Sequence, residues 1–326
     1  MQDYVLSVRA VRNGAFIADV GPSKFLVVPD EEVPTPAQAI TQAAWYKAVR
    51  TAAAWRNDQG EPRGDLLFVV HGYNLSVDEV IQRHRRLKED LLALGFKGAI
   101  ASFDWPSDDK TLAYVPDRHR AKETAFRLVS DGIAYLSAEQ TPACTINIHV
   151  LGHSTGAFVI REAFDDADDK ELPNMSWNVS QVIFAAGDVS AVSMATGNGD
   201  SESLYRHCMR LTNYSSRYDR ALDLSNVKRL GTSPRVGRVG LPGNAPSRAV
   251  NVDCTAYYEK LAEQNSSIVE QDQPQGFMGI QSHSWYFGNL PFTRDLFGVM
   301  IGEDRIVIPT RQRLSDGWIV LKKPDG

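Results

Sequence analysis

From residue 66 onward the chain alternates short apolar runs with longer amphipathic stretches. Residues 66–70, Leu-Leu-Phe-Val-Val, are continuously apolar, as a strand buried on both faces requires. Residues 99–103, 144–151, 181–186, 208–214 and 249–253 carry β-type patterns, the last being the final strand expected. Between these runs Val77, Val80, Ile81, His84, Leu87, Leu91 and Leu92 recur at helical spacing. Ala121, Ala125, Leu128, Val129, Gly132 and Leu136 do the same. Such β-α alternation predicts an α/β fold with a mostly parallel central sheet and helices on both faces. Ligands of such sheets sit at the carboxyl ends of the strands.

The first 64 residues read differently. Residues 4–11 and 15–20 are β-rich and flank Asn13-Gly14, a two-residue hairpin signal. Residues 25–28 look like a third, short strand. Thr35, Pro36 and Gln38 form a helix-start signature with Thr35 as N-cap, and the Ala-rich stretch to Trp55 reads as the helix. Residues 58–64 are a polar Gly/Pro loop. The pattern predicts a β-hairpin and helix elaboration over 1–64, packed on a main domain over 65–326.

Composition narrows the class. A chain of 326 residues, 43% of them hydrophobic, buries a large core. A net charge of -5 lacks the basic footprint of a general nucleic-acid binder, so no nucleic-acid partner is expected. Cys144, Cys208 and Cys254 are far apart and show no metal-ligand spacing. That argues against a disulfide framework or a zinc site and for a reducing compartment. Asp3, Arg9, Arg12 and Asp19 interrupt any signal-peptide core, and no apolar run reaches the length of a membrane span. A cytoplasmic protein without stable membrane insertion is the expectation, with export lacking a cleaved signal left open.

The chemistry centres on Gly152-His-Ser-Thr-Gly156, which follows one predicted strand and precedes a helical stretch. A nucleophile elbow needs that setting, because the turn between strand and helix is too tight for side chains at its flanks. Ser154 is the candidate nucleophile. On this framework the chain order is Ser, then Asp or Glu, then His. Of the histidines at 71, 84, 119, 149, 153, 207 and 283, only His207 and His283 follow Ser154. His207 lies at the amino end of a strand, the wrong end of the sheet, so His283 is the candidate base. The acid should follow a strand between the two. Asp219, one strand later than Asp188, is favoured, with Asp188 left as the alternative. The backbone N–H groups of Thr155 and of Tyr73, in His71-Gly-Tyr-Asn74, are candidate oxyanion donors. His71 reads as a bracket for that turn. Trp105 and Trp285 are candidate substrate-lining residues, as are Phe277, Met278, Tyr286 and Phe287 around His283. The Gly/Pro-rich basic stretch 226–248 is a candidate cover for an anionic substrate. Residues 190–203 form a candidate lid edge.

The succession His71-Gly-Tyr-Asn74, Phe103-Asp-Trp-Pro-Ser107, Gly152-His-Ser-Thr-Gly156, Ala185-Ala-Gly-Asp188, Ser216-Arg-Tyr-Asp-Arg-Ala-Leu222 and His283-Ser-Trp285 resembles a largely uncharacterised bacterial branch of the α/β-hydrolase superfamily. Members of that branch are described as esterase- or lipase-like. The resemblance covers about residues 65 to 300. It implies the α/β-hydrolase fold and takes as a triad the elbow serine, the Asp of Ser-x-x-Asp-x-Ala-Leu and the late His, here Ser154, Asp219 and His283. Thr155 stands where the branch often has Met; an oxyanion hole uses only its backbone N–H. The implied activity is that of a serine carboxylic-ester hydrolase acting on a small-molecule acyl ester, with no metal or organic cofactor. Amide or thioester hydrolysis on the same triad, and a catalytically silent binding module of the same fold, are the alternative readings.

Overall fold

Asn13 and Gly14 both take positive φ, 52° and 77°. That conformation gives a two-residue turn the twist of its flanking strands. In the computed structural model, which describes residues 2–107, 114–138, 146–169, 172, 177–223, 234–264 and 280–323, the turn joins β1 (Gln2–Arg12) to β2 (Ala15–Pro29). The expected third strand does not exist separately. β2 runs on through 25–28, and register shifts along its pairing with β1 absorb the irregular residues. Gln38 does cap back onto the Thr35 N–H at 2.8 Å, but around a single 3-10 turn, Pro36–Gln38. The next two residues are drawn into pairing with β2 as β3 (Ala39–Ile40). Helix α1 (Gln42–Ala53) therefore starts later, at Thr41, whose hydroxyl accepts the Ala44 N–H. After α1, β4 (Ala54–Arg56) pairs with the start of β5 (Pro62–Val70).

Beyond β5 the chain adds β6 (Ala99–Asp104), β7 (Ile146–His153), β8 (Val179–Ala185), β9 (Cys208–Ser215), β10 (Ala249–Asp253), β11 (Arg311–Arg313) and β12 (Ile319–Leu321). Among the described residues these strands form one sheet in the order β11-β12-β10-β9-β8-β7-β5-β6-β1-β2-β3, with β4 beside β5. Pairing is parallel from β1 through β12 and antiparallel only at the margins and at β4.

Two findings go beyond the expectations. The N-terminal segment covers the sheet through α1 and also extends it, with β1 lying parallel to β6 from Tyr4 opposite Ala101 to Ser7 opposite Asp104. Buried Val5 and Leu6 point to opposite faces, so β1 is covered on both sides like an interior strand. And β10 is not the last strand. β12 pairs parallel to it, and β11 follows antiparallel. Three-residue strands are too short to show a period in sequence.

The apolar run of β5 shows why the sheet is a two-sided core. Phe68 and Val70 face one cluster with Trp45, Phe103 and Phe164, under α1 and α5 (Thr155–Asp169). Leu67 and Val69 face the other with Leu87, Leu91, Phe292 and Leu296, under α2 (Val77–Ala93) and α10 (Leu290–Met300). Each fully buried side chain of this size contributes about 1.5–3 kcal/mol against exposure. The remaining helices are α3 (Tyr114–Leu128), continued through a π turn (Val129–Ile133) into α4 (Ala134–Ala138), then α6 (Gly199–Arg206), α7 (Val236–Val239), α8 (Thr255–Gln264) and α9 (Ile280–Ser284). Residues 190–203, expected as a lid edge, fold instead into a 3-10 turn (Val192–Met194) and the start of α6, packed on α5. No helix among the described residues is long and apolar enough to cross a membrane.

Candidate active site

β7 ends at His153, Ser154 turns, and α5 begins at Thr155. Ser154 holds φ at 56°, a left-handed conformation that a non-glycine residue keeps only when its surroundings impose it. They do so here. The Ser154 N–H donates to the Ala185 carbonyl at 3.1 Å, and its own carbonyl accepts from Asp188 at 2.9 Å and Ala157 at 3.1 Å. Both flanking glycines are required. A Cβ on Gly156 would lie 2.1 Å from the Val70 carbonyl oxygen, and one on Gly152 would lie 2.7 Å from the Ala157 nitrogen. The helix after the serine thus sits hard against the end of β5.

Asp219 and His283 meet although 64 residues separate them. His283 Nδ1 lies 2.7 Å from Asp219 Oδ2, with Asp219 fully buried and His283 nearly so. The second carboxylate oxygen accepts the Leu222 N–H at 3.0 Å, so one carboxylate both caps a helical turn and faces the ring. Arg238 of α7 donates to the Asp219 carbonyl at 3.0 Å. Asp188, the alternative acid, faces another way: Arg235 Nε lies 3.1 Å from its Oδ1, and both residues are buried. His283 lies in the short α9 rather than in a loop. His207 is stacked on Trp177 and bonded to the Trp177 carbonyl and Asp168, far in function from any nucleophile.

His153 was not picked out by sequence order because it precedes the serine. Its Nε2 lies 2.8 Å from the His283 carbonyl oxygen, so Nε2 carries the proton and donates it. The rings sit 4.8 Å apart. Burial first, then the neighbouring His283 and Arg83, hold the His153 pKa well below that of an ordinary histidine. A neutral imidazole thus ties the elbow to the element that carries the base. The sequence signal was present in the pentapeptide itself, where His153 adjoins Ser154.

The His71–Asn74 turn lies against the elbow. A Cβ on Gly72 would come within 2.9 Å of the Ser154 Cβ. Asn74 takes φ at 61°. His71 braces this turn: its Nδ1 lies 2.7 Å from the Gly72 carbonyl, its Nε2 accepts the Trp105 N–H at 3.2 Å, and its carbonyl accepts the Trp105 indole N–H at 2.9 Å. The two rings stack. These partners fix the neutral Nδ1–H tautomer, in line with burial lowering the His71 pKa. Asp104 Oδ1, 3.3 Å from Nε2, packs against the ring while Arg9 Nε takes that oxygen at 2.7 Å and the Ser7 hydroxyl takes Oδ2 at 2.7 Å. Burial alone raises the Asp104 pKa; the opposing charge of Arg9 leads the effects that reverse this, and the pKa falls to about 2. Arg9 also donates to the Ser107 and Leu75 carbonyls. The N-terminal strand thereby holds both loops beside the elbow, a role visible in sequence only as a charge inside an apolar strand.

Tyr73 is half-buried and packs on the core, while Thr155 opens α5, where first-turn N–H groups lack intrahelical acceptors. The Thr155 hydroxyl is buried without a hydrogen-bond partner. Both candidate tryptophans are buried. Trp105 has no exposed surface, being locked onto His71, and Trp285 is packed among Tyr257, Tyr258, Tyr286 and Phe292. Phe277, Met278 and positions 226–233 of the basic stretch lie outside the described residues. Of the rest of that stretch, Arg235 pairs with Asp188, Arg238 with Asp223, and Arg248 with the Tyr205 and Cys208 carbonyls.

A mostly parallel sheet with helices on both faces and a strand-turn-helix elbow at a strand's carboxyl end is the framework of the α/β-hydrolases. Residues 50–248 match the family described as alpha/beta hydrolase of unknown function (DUF900), and the chain belongs to it. The matched span includes Tyr73, Ser154, Thr155 and Asp219 and stops short of His283. Similar solved structures include a hyperthermophilic esterase from the archaeon Pyrobaculum calidifontis, at 14% identity over 71% of this chain and 88% of that one, with a TM-score of 0.34. A cutinase-like protein from Cryptococcus sp. is 14% identical over 58% of this chain and 75% of that one, with a TM-score of 0.30. A thioesterase of the prodiginine biosynthetic pathway in Streptomyces coelicolor is 15% identical over 46% and 69% of the two chains, with a TM-score of 0.26. No curated protein matches the chain.

Proposed function

We propose that this α/β-hydrolase is a serine carboxylic-ester hydrolase with Ser154 as nucleophile, His283 as general base and Asp219 as its orienting acid. The observation that carries the reading is the buried 2.7 Å contact between His283 Nδ1 and Asp219 Oδ2, with the His283 carbonyl bonded to His153, the neighbour of a serine held at positive φ. With Nδ1–H committed to the carboxylate, Nε2 is the nitrogen left to take the Ser154 proton as the hydroxyl attacks an acyl carbonyl. Asp219 then stabilises the imidazolium. The N–H groups of Thr155 and Tyr73 receive the developing oxyanion, aided by the positive end of α5. The imidazolium returns its proton to the departing alkoxide, and water, activated by the same ring, releases the acyl group from Ser154. Free, buried Cys208 and Cys254 fit the reducing, cytoplasmic compartment read from sequence.

A fluorophosphonate probe tests this directly. It should label the wild type at Ser154, with labelling lost in Ser154→Ala and in heat-denatured protein. Hydrolysis of 4-nitrophenyl esters of rising acyl length should be lost with it. Labelling that persists in Ser154→Ala would remove the serine from the mechanism.

A further inference from the structure

One cation beside the site has no ion-pair partner among the described residues. Arg83, on α2, is half-buried with its guanidinium 5.3 Å from the centroid of the Phe287 ring. That ring in turn lies 5.1 Å from the His153 ring, which adjoins Ser154 and touches His283. Arg83 is thus one aromatic ring away from the candidate chemistry, and its charge is felt at His153. Among the described residues it makes no hydrogen bond and no ion pair. The one carboxylate whose charge reaches it is Glu79. That carboxylate is already engaged at the start of α2, accepting the Ser76 N–H at 2.8 Å and hydroxyl at 2.9 Å.

A guanidinium carries five N–H donors in a planar fork suited to two parallel bonds with an oxyacid. Partial burial without an acceptor is unfavourable for such a group, and burial does push the Arg83 pKa below its ordinary value. Other arginines around the site are engaged: Arg9 with Asp104, Arg235 with Asp188, Arg238 with Asp223. The Phe287 face orients the Arg83 side chain without using its donors.

We infer that Arg83 is the anchor for a carboxylate on the substrate, so that the ester cleaved at Ser154 carries a negative charge several bonds from the scissile carbonyl. One guanidinium balances one negative charge, which selects a carboxylate over a dianionic phosphate. The inference rests on the hydrolase reading for its location, but the anion site is testable without turnover.

The turnover test uses 4-nitrophenyl half-esters of succinate, glutarate and adipate, each against its methyl-capped neutral partner. For at least one chain length, the charged-to-neutral ratio of kcat/KM should be at least about tenfold higher in the wild type than in Arg83→Met, one bidentate charge-assisted contact being worth that much. Arg83→Lys, which keeps the charge but loses the fork, should fall between. In the wild type alone the charged preference should shrink with added salt. A ratio that Arg83→Met leaves unchanged, or a wild-type ratio insensitive to salt at every chain length, overturns the inference. The binding test titrates glutarate into wild-type and Arg83→Met protein by calorimetry. Binding by the wild type that the variant loses supports the site; equal binding by both, or by neither, overturns it. Absence of fluorophosphonate labelling at Ser154 would sink the hydrolase reading and leave this binding result standing.

Discussion

Arg9→Met removes the cation that holds the loops beside Ser154 while keeping most of its aliphatic bulk. Arg9 is 3% exposed and Asp104 1%, so the carboxylate left behind cannot recover its charge partner from water. It keeps the Ser7 hydroxyl on Oδ2, and the Leu75 carbonyl keeps the Ser107 hydroxyl at 3.0 Å. What is lost is the 2.7 Å ion pair and the donations to the Ser107 carbonyl at 3.0 Å and the Leu75 carbonyl at 3.1 Å. Removing one partner of a buried pair costs about 3–5 kcal/mol, chiefly because the other charge stays buried. Urea unfolding followed by tryptophan fluorescence should show an unfolding free energy lowered by that amount at unchanged slope. Combining Arg9→Met with Asp104→Asn removes both charges, and the double variant should be more stable than the sum of the singles by about 1–3 kcal/mol. The acid limb gives a second reading of the same pair. Because Asp104 titrates lower in the folded state, its contribution is full above about pH 4 and is lost as pH falls toward about 2. That loss should be smaller in Arg9→Met. Fluorophosphonate labelling of Ser154 should also slow, since the turn bearing Tyr73 loses its brace. An unfolding free energy within about 0.5 kcal/mol of the wild type would refute the reasoning, since that is the range of an ordinary surface change.

Two further expectations separate roles that proximity leaves entangled. Asp219→Asn should cut ester turnover by about 10³–10⁴-fold by spoiling the His283 tautomer, whereas Asp188→Asn should act mainly on stability by stranding Arg235; paired turnover and unfolding measurements decide, and the reverse pattern would transfer the acid role to Asp188. His71, His84 and His153 are all held below the ordinary histidine pKa, burial being the first cause for each. The unfolded chain takes up protons below about pH 6.5 that the folded state refuses, so the stability these groups contribute is full above that pH and lost below it, by at most about 4 kcal/mol per pH unit. Unfolding curves at pH 7.5, 6 and 5 check this, and stability that stays flat across them would contradict neutral burial.

What was legible in the sequence follows from how far each interaction reaches along the chain. The elbow is local: Gly152, Ser154 and Gly156 are written within five residues, and the close approach of Val70 to Gly156 is the tertiary consequence of a requirement the pentapeptide already states. The order of strands and helices was legible for the same reason, since each is a period of a few residues. The helix start at Thr35 misled because a sound local cap was overridden by two residues pairing with β2. How Trp105 and Trp285 pack was not legible, because position near a site says nothing about which way a ring packs. The partners of Arg9, Arg83 and His153 had no short-range signature: sequence showed a charge in an apolar strand and a histidine beside Ser154, but not what each would meet.

The sequence by itself determined the α/β alternation, the elbow, and a short list of groups for the remaining roles. Only the tertiary structure decided which carboxylate faces His283, that the N-terminal strand joins the sheet and braces the loops at its carboxyl ends, and that Arg83 lies near the elbow with its donors unused among the described residues. The physical reason is that periodicity and turn chemistry act over a few residues and leave a pattern in one stretch of chain. A buried charge finds its partner across the fold, and that choice is made by packing.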